Sequence, residues 1–165
     1  MEDCIFCKII SGEVPAVKIW EDENSIAFLD MSPAVKGQTL VIPKKHVGSN
    51  IYHAEKSEIS EIMEASKTVS LILEKGLDVE RVITMIEGLE VDHLHIKLYP
   101  HYGREHEGYP GYKFVGGSEK ENSELELAKE EMGNNLGIDS ESGRNLLSSV
   151  NRQMAGNSGN VDINF

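Results

Sequence analysis

"VDHLHIKLYP", residues 91–100, decides how the rest of the chain is read. In an extended chain successive side chains point to opposite faces. Leu94, Ile96 and Leu98 then fall on one side and His93, His95, Lys97 and Tyr99 on the other. The apolar set suits a core beneath a helix. The polar set is a row whose neighbours stand about 6.5–7 Å apart. Three readings of that row are open. It is a solvated strand face, on which His and Lys are ordinary; or a metal site, since neutral imidazoles at i and i+2 can share an ion; or a catalytic row in which a neutral imidazole is the nucleophile.

The bulk numbers narrow the choice. At 165 residues and 39% hydrophobic content the chain suits one domain with an appendage and buries a real core. No apolar run approaches the roughly 18–20 residues that span a bilayer. The start, "MEDCIFCKII", is acidic and lacks a basic n-region and a cleavage site. Both features lead to the expectation of a soluble cytoplasmic protein without a membrane association. The net charge is −12, divided as −7 over residues 1–100 and −5 over residues 101–165. A generic nucleic-acid binder carries a broad basic face, so that class is disfavoured. An anionic small substrate fits only where Lys and Arg are placed locally. The two cysteines, Cys4 and Cys7, form a lone C-x-x-C. Half of a zinc site, a redox pair and two small packing residues are all compatible with it.

Along the chain, "CIFCKIISGE" reads as a short helix stopped near Gly12. "VKIWED" and "SIAFLD" flank the polar turn Asp22-Glu23-Asn24, a hairpin pattern, and "QTLVIP" is a third strand ending at Pro43. From about residue 54 to 75, Ile59, Ile62, Met63, Ser66, Val69 and Leu73 recur at helical spacing, with Gly76 as the expected stop. "RVITMI" and "VDHLHIKLYP" are the fourth and fifth strands. Short turns between strands imply an antiparallel sheet, and one long helix can cover a face of it, which is an α+β domain. After Pro100 the composition changes to Gly and Tyr, then an acidic stretch, then a run rich in Asn, Ser and Gly. Residues 1–110 are expected to form the domain and residues 111–165 an acidic, partly flexible extension.

A closed structural zinc site takes four N or S ligands. The chain offers Cys4, Cys7 and two of His46, His53, His93, His95, His101 and His106. His46 ends "VIPKKH", just past the third strand, where a fixed backbone suits a ligand. Its ordinary alternative is a surface histidine in a basic loop.

"CIFCKII", "AFLDMSPAVKGQTLVIPKKH" and "GLEVDHLHIKLYP", in that order, resemble the histidine-triad family of nucleotide hydrolases and transferases. The resemblance covers about residues 4–100. It implies a five-stranded antiparallel sheet with one long and one short helix, and a homodimer. Aligned on Pro100, the three triad positions are His93, His95 and Lys97. The resemblance makes His95 the nucleophile that attacks the α-phosphorus of a nucleotide conjugate or dinucleoside polyphosphate, forming a nucleotidyl-histidine, with its other ring nitrogen held by a backbone carbonyl. It makes Cys4, Cys7, His46 and His93 the ligands of a structural zinc ion. It places Ile5, Phe6, Ile9 and Met31 around the base and Asp30 on the ribose hydroxyls. The ordinary alternatives are core packing for Ile5, Phe6 and Ile9 and a turn cap for Asp30.

Two departures stand out. The segment before the motif, "IEGLEVD", is short, has no Asn, and carries Glu90 where relatives have Ser or Thr. Lys97 replaces the third histidine. A lysine still neutralises phosphate charge but cannot act as a neutral imidazole. The uridylyltransferase branch also lacks that histidine, so its loss does not imply loss of chemistry. Beside hydrolysis or nucleotidyl transfer through His95 and Lys97, two other functions are compatible with the residues: nucleotide binding with little turnover, and a zinc-stabilised interaction module.

Overall fold

The computed structural model describes residues 4–103. The extension expected over residues 111–165, with its acidic stretch, lies outside the described residues. The elements are α1 (Ile5–Ser11), β1 (Lys18–Glu21), β2 (Ser25–Leu29), β3 (Thr39–Pro43), a 3-10 turn (Ile51–His53), α2 (Lys56–Leu77), β4 (Val82–Met85) and β5 (Ile96–Pro100). Among the described residues the strands form one antiparallel sheet of five, ordered β1-β2-β3-β5-β4. The α+β architecture with one long and one short helix is as expected from the sequence. None of the helices described is long and apolar enough to cross a membrane.

Local chemistry accounts for the boundaries. Gly12 stops α1 in the left-handed region at φ 81°. Between β1 and β2, the Asp22 carboxylate accepts the backbone N–H groups of Asn24 (2.9 Å) and Ser25 (2.7 Å), which closes the hairpin turn. A reciprocal capping box between Glu55 and Glu58 starts α2. The helix passes through Gly76 rather than stopping there. It ends at Leu77, and Asp78 takes the left-handed position at φ 52°.

Both faces of the sheet are covered, which is why β2 and β3 read as near-continuous apolar runs. Ala27, Val41, Ile96 and Leu98 point to α2 and pack with Ile62, Ala65, Val69 and Leu73. Ile26, Phe28, Leu40 and Ile42 point the other way and pack with Phe6 of α1, flanked by Ile9 and Ile10. The buried stripe of α2 includes Ala65 and leaves Met63 on its flank, 44% exposed. At about 100° per residue Met63 lies a quarter turn from Ile62.

The stretch 91–100 corrects its sequence reading in two ways. Only Ile96–Pro100 is strand. Residues 91–95 turn toward the loop after β3 instead of pairing with it as a ladder: the His93 N–H bonds Val91 O (2.8 Å) and the Leu94 N–H bonds Val47 O (2.7 Å). Leu94 keeps its place with Ile96 and Leu98 in the α2-side core. The second correction concerns the opposite row. It is not a solvated face, for His93 and His95 are 0% and 2% exposed.

Ile62→Ala, at a fully buried position, is expected to lower the unfolding free energy by about 2–5 kcal/mol. Met63→Ala is expected to stay within about 0.5 kcal/mol. Urea unfolding of the two variants side by side checks the face of α2 that carries the core.

Candidate active site and metal centre

The first site builds outward from His93. Its Nε2–H donates to the carbonyl of Pro43, the last residue of β3, at 2.9 Å. That bond leaves Nδ1 as the ring's lone-pair nitrogen. Nδ1 lies 3.5 Å from Cys4 Sγ and 3.7 Å from Cys7 Sγ. The Nδ1 of His46 is 3.3 Å from Cys7 Sγ, and the two imidazoles stand edge to face at 5.0 Å. The four ligand atoms all lie within 4.8 Å of one another.

These separations test whether a metal suits the donors. A tetrahedral ion with bonds of about 2.3 Å to sulfur and about 2.0 Å to nitrogen places neighbouring ligand atoms roughly 3.3–3.8 Å apart. The measured sulfur–nitrogen distances of 3.3–3.7 Å fall in that range. Burial pushes His93 below the ordinary imidazole value and so favours the neutral form that a ligand requires. Burial, followed by the adjacent Cys4 thiol, pushes Cys7 up; a cation at the centre supplies the positive charge that thiolates need. Cys4, Cys7, His46 and His93 are thus compatible with one metal ion. They come from the start of α1, the loop after β3 and the run before β5, so an ion there ties three separate segments.

The second site adjoins the first. His95 Nδ1–H donates to the carbonyl of His93 at 2.7 Å, which fixes the tautomer of the neutral ring and makes Nε2 its lone-pair nitrogen. Phe6 meets three rings edge to face: His95 at 5.3 Å, His93 at 5.8 Å and Phe28 at 5.9 Å between centroids. A cleft of about 230 Å³ opens here, lined by Ile5, Phe6, Ile9, Asp30, Met31, His95 and Lys97, together with Phe28, Leu40, Glu90 and Val91. Every residue assigned by resemblance to nucleotide binding or catalysis therefore lines one cleft. Phe6 is buried and serves the core as well. Met31, 86% exposed, stands at the rim.

Asp30 does cap the turn after β2: one carboxylate oxygen accepts Ser32 N–H at 2.8 Å. The other accepts the side-chain N–H of Gln38 at 2.5 Å. Gln38 is itself buried, and its carbonyl oxygen accepts Ala34 N–H at 2.7 Å. Sequence reasoning gave Gln38 no role, and its place in "GQTLVIP" carries no signal for one. Each carboxylate oxygen has acceptor capacity beyond these single bonds.

Lys97 forms an ion pair and hydrogen bond with Glu87, and Glu90 Oε2 lies 4.0 Å from its Nζ. Burial works against the lysine's charge, but the Glu87 bond and the surrounding negative charge outweigh it and hold Lys97 above the ordinary lysine value. Glu87 was a second residue without a role in the sequence reading. Its segment is short and carries no pairing signal, and the partnership spans ten positions across a turn.

The family model of the HIT domain matches residues 11–103. The chain belongs to the HIT family. An uncharacterised HIT-like protein of Methanocaldococcus jannaschii is 40% identical over 102 residues, which are 60% of this chain and 79% of the relative. The adenosine 5'-monophosphoramidase of Schizosaccharomyces pombe is 35% identical over 112 residues, 66% of this chain and 84% of the relative. Among solved HIT structures, a family member from Bacillus subtilis superposes with a TM-score of 0.64 at 29% identity, covering 80% of this chain and 96% of that one. A histidine-triad nucleotide-binding protein from Candida albicans gives 0.62 at 26% identity, covering 84% and 100%.

Purified protein is expected to carry about one metal ion per chain by elemental analysis. Cys7→Ser, which exchanges a soft thiolate for a hydroxyl, should lose most of that metal and melt several degrees lower. Equal metal content in the wild type and the variant would rule the cluster out as a metal centre.

Proposed function

We propose that this HIT protein hydrolyses a nucleotide conjugate, or transfers its nucleotidyl group, through a covalent intermediate on His95. The observation that carries this reading is the His95 Nδ1–H bond to the His93 carbonyl. It leaves Nε2 with a lone pair on a ring that lines the cleft. Nε2 attacks the α-phosphorus, and the bond from phosphorus to the leaving group breaks. The leaving group departs with the bonding pair and takes up a proton from solvent. Water, or another acceptor, then attacks the same phosphorus and gives up its proton to solvent; the bond from phosphorus to Nε2 breaks, which releases the nucleotidyl group and restores the free imidazole. The His93 carbonyl supports the positive charge that the ring carries in the intermediate.

Asp30 receives the ribose hydroxyls on acceptor positions that Ser32 and Gln38 leave open. Ile5, Phe6, Ile9 and Met31 enclose the base. Lys97 faces the phosphate region as a permanent cation. The metal is zinc, held by Cys4, Cys7, His46 and His93, and its role is structural: it fixes α1, and with it Phe6, against the two histidines. The activity named for the fission-yeast relative, a monophosphoramidase, supports a conjugate of this kind. We further read the protein as a cytoplasmic homodimer. A second reading, nucleotide binding with little turnover, draws on the pairing of Lys97 with Glu87, which reduces the charge available to a phosphate.

Incubation with an adenosine or guanosine phosphoramidate, followed by intact-mass measurement, tests the proposal. A nucleotidyl mass gain is expected in the wild type and not in His95→Ala. Turnover should fall by about 10³-fold or more in the variant, as for loss of a covalent nucleophile, with the far-ultraviolet spectrum unchanged. A His95→Ala protein with wild-type turnover overturns the assignment. Binding without an adduct or turnover in the wild type selects the second reading.

A further inference from the structure

Lys97 is the sole cation among the described residues that line the cleft, and it is not available at full strength. Glu87 is bonded to it, and Glu90, itself a lining residue, stands 4.0 Å away. Asp30 adds a third carboxylate on the cleft wall. One lysine thus faces three acids. The segment that carries Glu87 is also anchored. Gly88 sits at φ 63°, and a Cβ there would lie 2.6 Å from the Ser49 carbonyl oxygen. Four residues on, the Asp92 carboxylate accepts the Ser49 N–H at 2.9 Å. Gly88 and Asp92 both lie against the loop after β3, and the anchored run between them carries Glu90, with Glu87 immediately before it. The Glu87–Lys97 pair is therefore a built feature and not a chance contact of two mobile surface chains. Lys97 has little freedom to leave it, because its side chain is only 15% exposed and its backbone is held on both sides, in register with Leu40 of β3 and Met85 of β4.

We infer that Glu87 is a specificity-determining residue that acts through Lys97, with Glu90 beside it, to select a neutral or cationic leaving group such as an amine against a polyphosphate. The inference rests on the nucleotidyl chemistry proposed above. A single α-phosphate brings about one negative charge, and Lys97 meets it in part. A polyphosphate leaving group brings two or three more into a site where the remaining formal charges are carboxylates. An amine brings none, or a positive charge that Glu87 and Glu90 attract. At an effective dielectric of about 40 and a separation of about 7 Å, one carboxylate shifts the ratio between the two substrates by on the order of tenfold for each added phosphate charge.

The test compares kcat/KM on two substrates that share the same nucleotidyl group. One is an adenosine 5'-phosphoramidate with an amine leaving group, and the other is a diadenosine polyphosphate. The wild type is expected to favour the phosphoramidate. Glu87→Gln, which keeps size and hydrogen bonding but removes the charge, should shrink that preference about tenfold, chiefly by improving the polyphosphate. Glu87→Asp should retain it, and Glu90→Gln should give a smaller change in the same direction. A wild type that favours the polyphosphate, or a Glu87→Gln ratio within twofold of the wild type, overturns the inference even if His95 forms its adduct. Loss of both activities in equal proportion assigns Glu87 a structural role and overturns it as well. A wild type that turns over neither substrate defeats the reading of His95 instead. The charge argument is then decided by titrating AMP, ADP and ATP: Glu87→Gln must tighten ATP about tenfold relative to AMP, and a uniform change or no binding overturns it.

Discussion

One imidazole holds this molecule's working parts together. A neutral histidine has one N–H and one ring lone pair, and His93 commits both. The N–H goes to the carbonyl at the end of β3, and the lone pair faces the two cysteine sulfurs at the start of α1. Its backbone carbonyl then accepts the Nδ1–H of His95. A single residue thereby aligns the end of a central strand, the short helix and the next histidine. Fold and chemistry are not separable here, because the atom that fixes the tautomer of His95 belongs to the residue that binds α1.

That dependence explains the uneven covering of the sheet. The long helix buries a continuous apolar stripe against β2, β3 and β5 and makes the main core. Among the described residues the opposite face is covered chiefly by α1, which has seven residues, with Ala16 and Val91 beside it. A helix of that length does not hold itself together in water. Its order comes from Phe6 packed between Phe28 and the two histidines, and from Cys4 and Cys7 drawn toward His46 and His93. Short cover on a wide face leaves part of that face open, and the cleft is that opening.

The legible parts of the fold were those with local causes. Apolar spacing showed α2, Gly12 marked the end of α1, and the Asp22-Glu23-Asn24 turn marked the hairpin. The alternation in residues 91–100 correctly separated Leu94, Ile96 and Leu98 from the histidines. It could not tell which faces are covered, because a period of two describes the strand and says nothing of its neighbours. The burial of His93 and His95 is caused by Phe6, some ninety residues earlier in the chain. Gly76 misled for a similar reason: a glycine permits a helix to end, but the helix ends where Leu77 still has a core to join, packed against the α2-side cluster. In the site, residues carried by motif spacing fell around one cleft and one cluster. Gln38 and Glu87 did not announce themselves, since each matters only through a partner distant in sequence.

The same distinction changes how Lys97 is understood. In the sequence, Lys97 and the short acidic segment before the motif are two separate features. In space they are one. An ammonium on the α1 face of β5, largely screened from solvent, needs a partner for its charge. Glu87 supplies it from a turn held by Gly88 against Ser49. The acid and the lysine are therefore coupled: either alone would leave a charge poorly matched beside the cleft. That end of the cleft thus carries an ion pair, with the Glu90 carboxylate beside it. The consequence falls on whatever charge approaches that end of the cleft, while the bond from His95 to the His93 carbonyl does not involve the pair.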